Sequence, residues 1–386
     1  LKFSPTSFLK IYLDIKFFFN NLFNNYISND KKFFDFRIKD SNIFFGYHDK
    51  INCFENKILF HENFKKNFYV GYIYKNKFYR LKKTELCSWQ LGSQLQWISQ
   101  KKIIFNCYEN NKPKSVVYDI LSKSKFKTYN YLIYNLCNQK KKFVSLDFNK
   151  LYIYRKGYGY KLKGKKNFNI SLNDTLKIVD LKNGKILHEI SNDLVCKKIK
   201  KKKNQHMYFN HATFSPSGDV ILFFLIDGAN ISREIYVILY HLKKKKIQYV
   251  KKIKNISHYC WLDNKNIIYT SLKKNYKCDY MIYNFHKKKN LKLGLNIKID
   301  GHPMINPKKK NLVLTDTYPN KFGFQKLIVF DLLKKKIIWQ TDLKFSTHFL
   351  FGERCDLHPK WSDDGKKIVV DYAIKNQRLI RSYDFP

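Results

Sequence analysis

Apolar positions along this chain change period once. Within residues 1–39, Phe8, Leu9, Tyr12, Leu13 and Phe17 recur at intervals of three and four, which places them along one face of a helix. That segment reads as a short N-terminal helical extension that packs on the main domain, or docks on a membrane surface or a partner. From about residue 40 to 386 helical periodicity nearly disappears. Short runs rich in β-branched and aromatic residues alternate with turns of Lys, Asn, Asp and Gly, the pattern of antiparallel strands.

The runs repeat. Each unit opens on a polar or His-containing lead, continues through a short strand bearing an aromatic, a turn such as "SPSGD" or "SDDGK", and a strongly apolar strand. It closes on a third strand ending like "VYDI" or "VFDL". Clear copies occupy residues 211–242, 258–286, 302–332 and 355–385, and weaker ones begin near 46, 95 and 144. Seven units of three or four strands predict an all-β fold, a seven-bladed β-propeller over 40–386. No βαβ alternation is visible, which argues against a parallel α/β sheet. The innermost strand of every blade lines a central channel, so the leads of distant units converge on one axis.

Composition changes this picture little. The formal charge of +45 suggests nucleic acid, but only seven of the 75 basic residues are Arg, and the lysine runs fall in turns between strands. Lys, Asn, Ile, Phe and Tyr are inflated together, as an AT-rich coding bias would produce, so nucleic acid is not the expected partner. An anionic polymer remains compatible with such a surface. The eight cysteines are scattered without a CxxC pair, which fits a reducing compartment better than a disulfide scaffold. The start of the chain is interrupted by Lys10, Asp14 and Lys16, too broken for a signal-peptide core or a spanning helix. The expectation is therefore a cytoplasmic protein. The first residue is not Met, which leaves open a fragment of a longer glycan-processing protein.

The leads carry the candidate chemistry. His258, His302, Cys355 and His358 come from the last three units. They read either as a soft tetrahedral set for a structural Zn²⁺ or as side chains that bond neighbouring turns. On that reading Arg354 and Asp356, alternating with Cys355 along a strand, point to the opposite face, with Arg354 able to reach an anionic substrate at the rim. The fourth unit supplies Asn210 and His211, and Arg233 opens its third strand. An Arg kept in so Lys-rich a chain suits bidentate capture of a carboxylate, or simply a structural or surface role. "GYGY" holds Tyr158 and Tyr160 on a glycine loop, where they can stack on a sugar, supply a phenol or pack. His48, Gln94, Gln96 and Asn106 complete the channel candidates. No Gly-rich phosphate loop, GxSxG elbow or HExxH is present, which argues against nucleotide and serine hydrolysis.

Taken together, "FFGYHDK", "LQW", "GYGY", "FNHATFSPSG", "SHYCWLD", "GHP…LTDTYP" and "RCDLHPKWSDDGKKIVVD" resemble the propeller polysaccharide lyases, ulvan lyases first and oligogalacturonate lyases more remotely. The resemblance covers residues 40–386 and is strongest in the last four units. It implies a metal held by three His and a Cys, and an anionic, uronate-containing polysaccharide or oligosaccharide as substrate. It also implies β-elimination with His211 as base, Arg233 as carboxylate clamp, and Tyr160 or Tyr158 as phenolic acid or base. His48, Gln96, Asn106, Asn210 and Arg354 become substrate-binding candidates. The rival expectation is a non-catalytic propeller that binds a glycan or protein partner in surface-polysaccharide assembly.

Overall fold

Strands such as Val220–Asp227 (VILFFLID) are apolar nearly throughout rather than at alternate positions, and their central residues are all buried. A strand reads this way only when both faces of its sheet are covered. Here each blade packs between two neighbours, and burial fades outward along it, so that the outermost strand of blade five, Lys289–Lys292, is exposed throughout. In the computed structural model, which describes residues 5–24, 31–155, 157–164, 171–229, 233–273, 277–295 and 297–386, the strands form seven antiparallel sheets around one axis. The fold is a seven-bladed β-propeller, preceded by an N-terminal helix α1 (Pro5–Asn24).

Neighbouring blades are tied by side chains near the axis. Trp97 Nε1 donates to the Asn52 carbonyl at 3.0 Å, Trp261 Nε1 to Thr213 Oγ1 at 3.1 Å, and Asn306 Nδ2 to the Gly365 carbonyl at 3.0 Å. The ring closes by a swap of sequence ends. Phe34–Phe36 pairs antiparallel with Gln377–Asp384 as the outermost strand of blade seven, so the propeller's first strand precedes the boundary at residue 40 expected from the repeat.

Two further helices lie where the repeat predicts none. α2 (Phe148–Tyr154) interrupts blade three between its second and third strands, capped by Asp147, and α3 (Asn192–Ile199) links blades three and four, capped by Ser191. At seven and eight residues each is too short to impose a helical period on the sequence. The loop after α2 lies over the channel end at which the innermost strands begin, and there Gly157, with φ +89°, passes so close to Gly352 that a Cβ would overlap its backbone.

The candidate site at the channel mouth

Five histidines reach the axis, and each stands where an innermost strand leaves its ladder. In blade one the innermost strand is split into Asn42–Phe44 and Cys53–Phe54, and the intervening residues carry Tyr47 and His48 into the channel. His211 sits in the bulge between Asn210 and Thr213 with φ +49°, and His258 in the bulge between Ile256 and Tyr259. His302 and His358 are each separated by one proline from the two-residue strands Met304–Ile305 and Lys360–Trp361, and His358 has φ +41°. Breaks of this kind re-aim a side chain that regular pleating would direct into the blade, and a left-handed backbone at a buried non-glycine residue is costly enough to mark a functional position.

The five rings form one buried cluster. His258 and His302 lie 4.1 Å apart between ring centroids, His302 and His358 4.6 Å, and His48 and His302 5.2 Å. Tyr47 adjoins the group, its ring 5.2 Å from that of His211 and 5.3 Å from that of His358. Two carboxylates orient two of the rings: Asp316 accepts from His302 Nδ1 at 2.9 Å, and Asp300 lies 3.3 Å from His258 Nδ1. Each contact leaves Nε2 as the nitrogen available to a ligand.

The electrostatics keep most of these imidazoles neutral. Burial, reinforced by neighbouring positive groups, pushes the pKa values of His48, His211 and His358 well below the ordinary value, and burial with His302 lowers that of His258. His302 moves the other way: burial opposes its charge, but the carboxylates of Asp316, Asp356 and Asp300 together outweigh burial and raise its pKa. Neutral rings can accept a proton or a metal ion. His48 Nδ1, His302 Nε2 and His358 Nε2 are all buried without a hydrogen-bond partner among the described residues, a costly condition that a bound ion or ligand would relieve.

Donor atoms of His302, Asp356 and His358 lie within 4.8 Å of one another, so these three side chains can share one metal ion. This set differs from the one read in the sequence. His302 and His358 are in it and His258 adjoins it. Cys355 is not a member; its thiol is buried among Arg378, Asp371, Asp356 and Lys360, and burial pushes its pKa up to about 12. Residues 354–359 are not strand, so the alternation that would send Asp356 to the opposite face does not operate. Instead Arg354 Nε holds both Asp356 oxygens at 2.8 Å beside the histidines. Lys360 fixes the segment from below, donating to the carbonyls of Gly46 at 2.7 Å and His358 at 2.6 Å.

Arginines gather above the cluster. Arg155, at the C-cap of α2, lies over the Tyr158 ring at 4.4 Å, and Arg354 over Tyr318 at 5.5 Å. Arg155 acts electrostatically on both His211 and Arg233, and Arg233 is exposed at the end of the loop that precedes its strand. His211, Arg233, Arg354 and Tyr158 therefore share one end of the channel.

The remaining candidates make contacts within and between the blades. Tyr160 stacks on Phe148 at 4.6 Å, and its hydroxyl donates to the Gly92 carbonyl and accepts from Asn106. Asn106 also binds both backbone groups of Ile133, and Gln96 accepts from Leu136 N at 2.9 Å, joining blade two to blade three. Asn210 Oδ1 accepts from its own strand at His211 N and from Tyr134. Arg155, Asp300, Asp316, Tyr318 and Asp356 were not singled out as site residues by the sequence. The "LTDTY" stretch, quoted only as part of a resemblance, is the signal that held two of them.

No protein-family model matches the chain, and no curated protein matches it. Solved structures do. An oligogalacturonate lyase from Vibrio parahaemolyticus aligns over 94% of this chain and 96% of its own, with a TM-score of 0.64 at 14% identity. An oligogalacturonate lyase in complex with manganese aligns over 93% and 99%, again with 0.64 and 14%. The fold is similar to that of the propeller lyases. The lyase-like likeness is one of fold, and a chain of the mitotic checkpoint complex also aligns, over 94% and 98%, at a TM-score of 0.51 and 9% identity.

Proposed function

We propose that this propeller binds a uronate-containing acidic glycan at the channel mouth and cleaves it by β-elimination, with a divalent ion held by His302, Asp356 and His358. The observation that carries the reading is the coincidence of three unpartnered buried imidazole nitrogens with Arg155, Arg233 and Arg354 at one end of the channel. Cations at the mouth match an acidic polymer, and the nitrogens below match an ion. The fold's likeness to oligogalacturonate lyases, one of them in complex with manganese, supports the same class.

Imidazole and carboxylate donors without a thiolate suit Mn²⁺ as well as Zn²⁺. A bound ion would supply positive charge to the substrate carboxylate. Arg155 and Arg233 approach the same group from the rim, where guanidinium forks bind carboxylates bidentately. His211, neutral because it is buried beside Arg155, removes the proton from C5. The electron pair forms the C4–C5 double bond as the bond from C4 to the glycosidic oxygen breaks. Tyr158 stands over the same mouth and protonates that oxygen; it then recovers a proton from solvent as His211 releases to solvent the one taken from C5. The products are an unsaturated uronate and a new hydroxyl end.

Incubation with oligogalacturonate, ulvan and other uronate polymers in the presence of Mn²⁺ or Zn²⁺ should produce the ultraviolet absorbance of the unsaturated uronate, abolished in His211→Ala and strongly reduced in Arg155→Ala. Binding of these glycans without any rise in absorbance would leave the rival reading, a non-catalytic glycan-binding propeller.

A further inference from the structure

α1 presents two apolar faces. Leu9, Leu13 and Phe17 are half-buried, and Phe17 packs so closely on Gly323 that a Cβ there would meet its ring at 2.7 Å, while Asp14 accepts from Thr347 at 2.6 Å. This side seats the helix on blade six. On the other side Ile11, Tyr12, Ile15 and Phe18 are 44, 59, 51 and 63% exposed. Their spacing places them along one helical stripe, flanked by Phe8 and Phe19 at 62 and 49% exposure, and six exposed large apolar side chains on a single helix are more than a surface normally carries.

The seat fixes where the stripe lies. Residues 320–323 follow Tyr318, and residues 345–347 lead toward Arg354, so both loops belong to the end of the propeller at which the histidine channel opens. Exposed Lys321 and Lys375 occupy connections at that same end, exposed Lys344 ends a strand there, Lys10 and Lys16 lie on the helix itself, and Phe351 stands 60% exposed beside the mouth. We propose that this end of the molecule docks on an anionic lipid bilayer, with the Ile11, Tyr12, Ile15 and Phe18 face lying in the interface and the lysines against the headgroups. An apolar helix face flanked by cations is what such an interface binds. No helix among the described residues is long and apolar enough to cross a membrane, so the helix lies on the bilayer. Charge selects lipid over a second copy: another chain of net charge +45 would set the same lysines against these, whereas acidic headgroups neutralise them. If the proposed glycan chemistry holds, docking turns the channel mouth toward glycan held at a bilayer; the docking itself does not depend on that reading.

Sedimentation of the full chain with vesicles tests this without any glycan. Binding is expected to phosphatidylglycerol–phosphatidylcholine vesicles and not to phosphatidylcholine alone. Ile15→Glu with Phe18→Glu should weaken binding by roughly tenfold or more, with the circular dichroism spectrum and melting temperature retained. Lys10→Gln with Lys16→Gln, which leaves the apolar face intact, should weaken it by a smaller factor and reduce its salt dependence. The proposal is overturned if the wild type ignores anionic vesicles, if it binds both vesicle types equally, or if both variant pairs bind as the wild type does. It is also overturned if ultracentrifugation shows a dimer that Ile15→Glu dissociates, since a second copy would then cover the face.

Discussion

Asp316 decides which nitrogen of His302 faces the channel. Both its oxygens lie within 3.0 Å of Nδ1, and one also accepts from the His302 backbone at 2.7 Å. The carboxylate thus fixes tautomer and ring orientation together, the usual arrangement behind a metal-bound imidazole. Asp316→Asn keeps the size of the side chain but removes the charge. It should weaken Mn²⁺ or Zn²⁺ binding by about 10–100-fold while leaving the melting temperature of the metal-free protein nearly unchanged. Calorimetric titration measures this, and an unaltered affinity would remove His302 from the ligands. At this scale the sequence shows residue types better than directions. The histidines stand out because every one of them opens a repeat. Asp356 does not, because its orientation depends on an irregular segment that no periodicity describes. Arg155 does not either, because a seven-residue helix inserted in one of the weaker copies of the repeat carries it to the mouth.

The elements show why the blade joints tolerate buried polar groups. His61 lies wholly inside the joint between blades one and two, where Nε2 meets Ser93 Oγ at 2.8 Å and accepts from Ser93 N at 2.9 Å, and its ring stacks on Phe44 at 5.3 Å. Gly92 makes room for it: φ is +60°, and a Cβ would stand 2.3 Å from His61 Cε1. Accepting a backbone N–H requires Nε2 to be unprotonated, and burial above all pushes the pKa of His61 down to about 3. The unfolded chain titrates near 6.5, so below that value it binds a proton that the folded chain refuses, and stability falls with pH. The His61 contribution is complete above about pH 6.5 and is lost at about 1.4 kcal/mol per pH unit down to about 3. Urea melts at pH 7 and pH 5 should therefore differ by less in His61→Gln than in the wild type; equal differences would show that the ring is already charged in the folded protein. The strands of this joint were legible from their apolar runs. The joint itself was not, because pairing between blades is set by three-dimensional neighbours rather than by local pattern.

At the scale of the whole molecule, the seven-fold count was readable because each blade repeats the same order of lead, turn and apolar strand, and only closure satisfies the edges of such an array. How the ring closes was not readable. Phe34–Phe36 is three residues long, lies outside the repeat, and belongs to blade seven only through its pairing with residues at the other end of the chain. An ion pair reinforces that pairing: Arg381 Nε and Nη2 donate to Asp35 Oδ1 and Oδ2 at 2.6 and 2.9 Å, while the guanidinium lies over Phe33 and Tyr372. Burial alone would raise the pKa of Asp35, but bonds from Arg381 and Arg37 outweigh it and hold the carboxyl below the usual range. A depressed carboxyl stabilises the fold above its unfolded pKa and loses that contribution as pH falls through the folded value, so the clasp should be intact at neutral pH and weaken only in acid below about pH 4. Arg381→Met removes the bidentate partner but leaves Arg37, which donates to Asp35 from a more exposed position at 2.7 Å. The cost should therefore fall at the low end for a broken buried pair, about 3 kcal/mol. It should be accompanied by faster protease cleavage between residues 31 and 40 while cleavage elsewhere is unchanged. Asp35→Asn should remove most of the acid dependence of that cleavage. A clasp variant as resistant as the wild type would mean that the strand pairing and the Phe33 and Phe36 contacts close the ring without the ion pair.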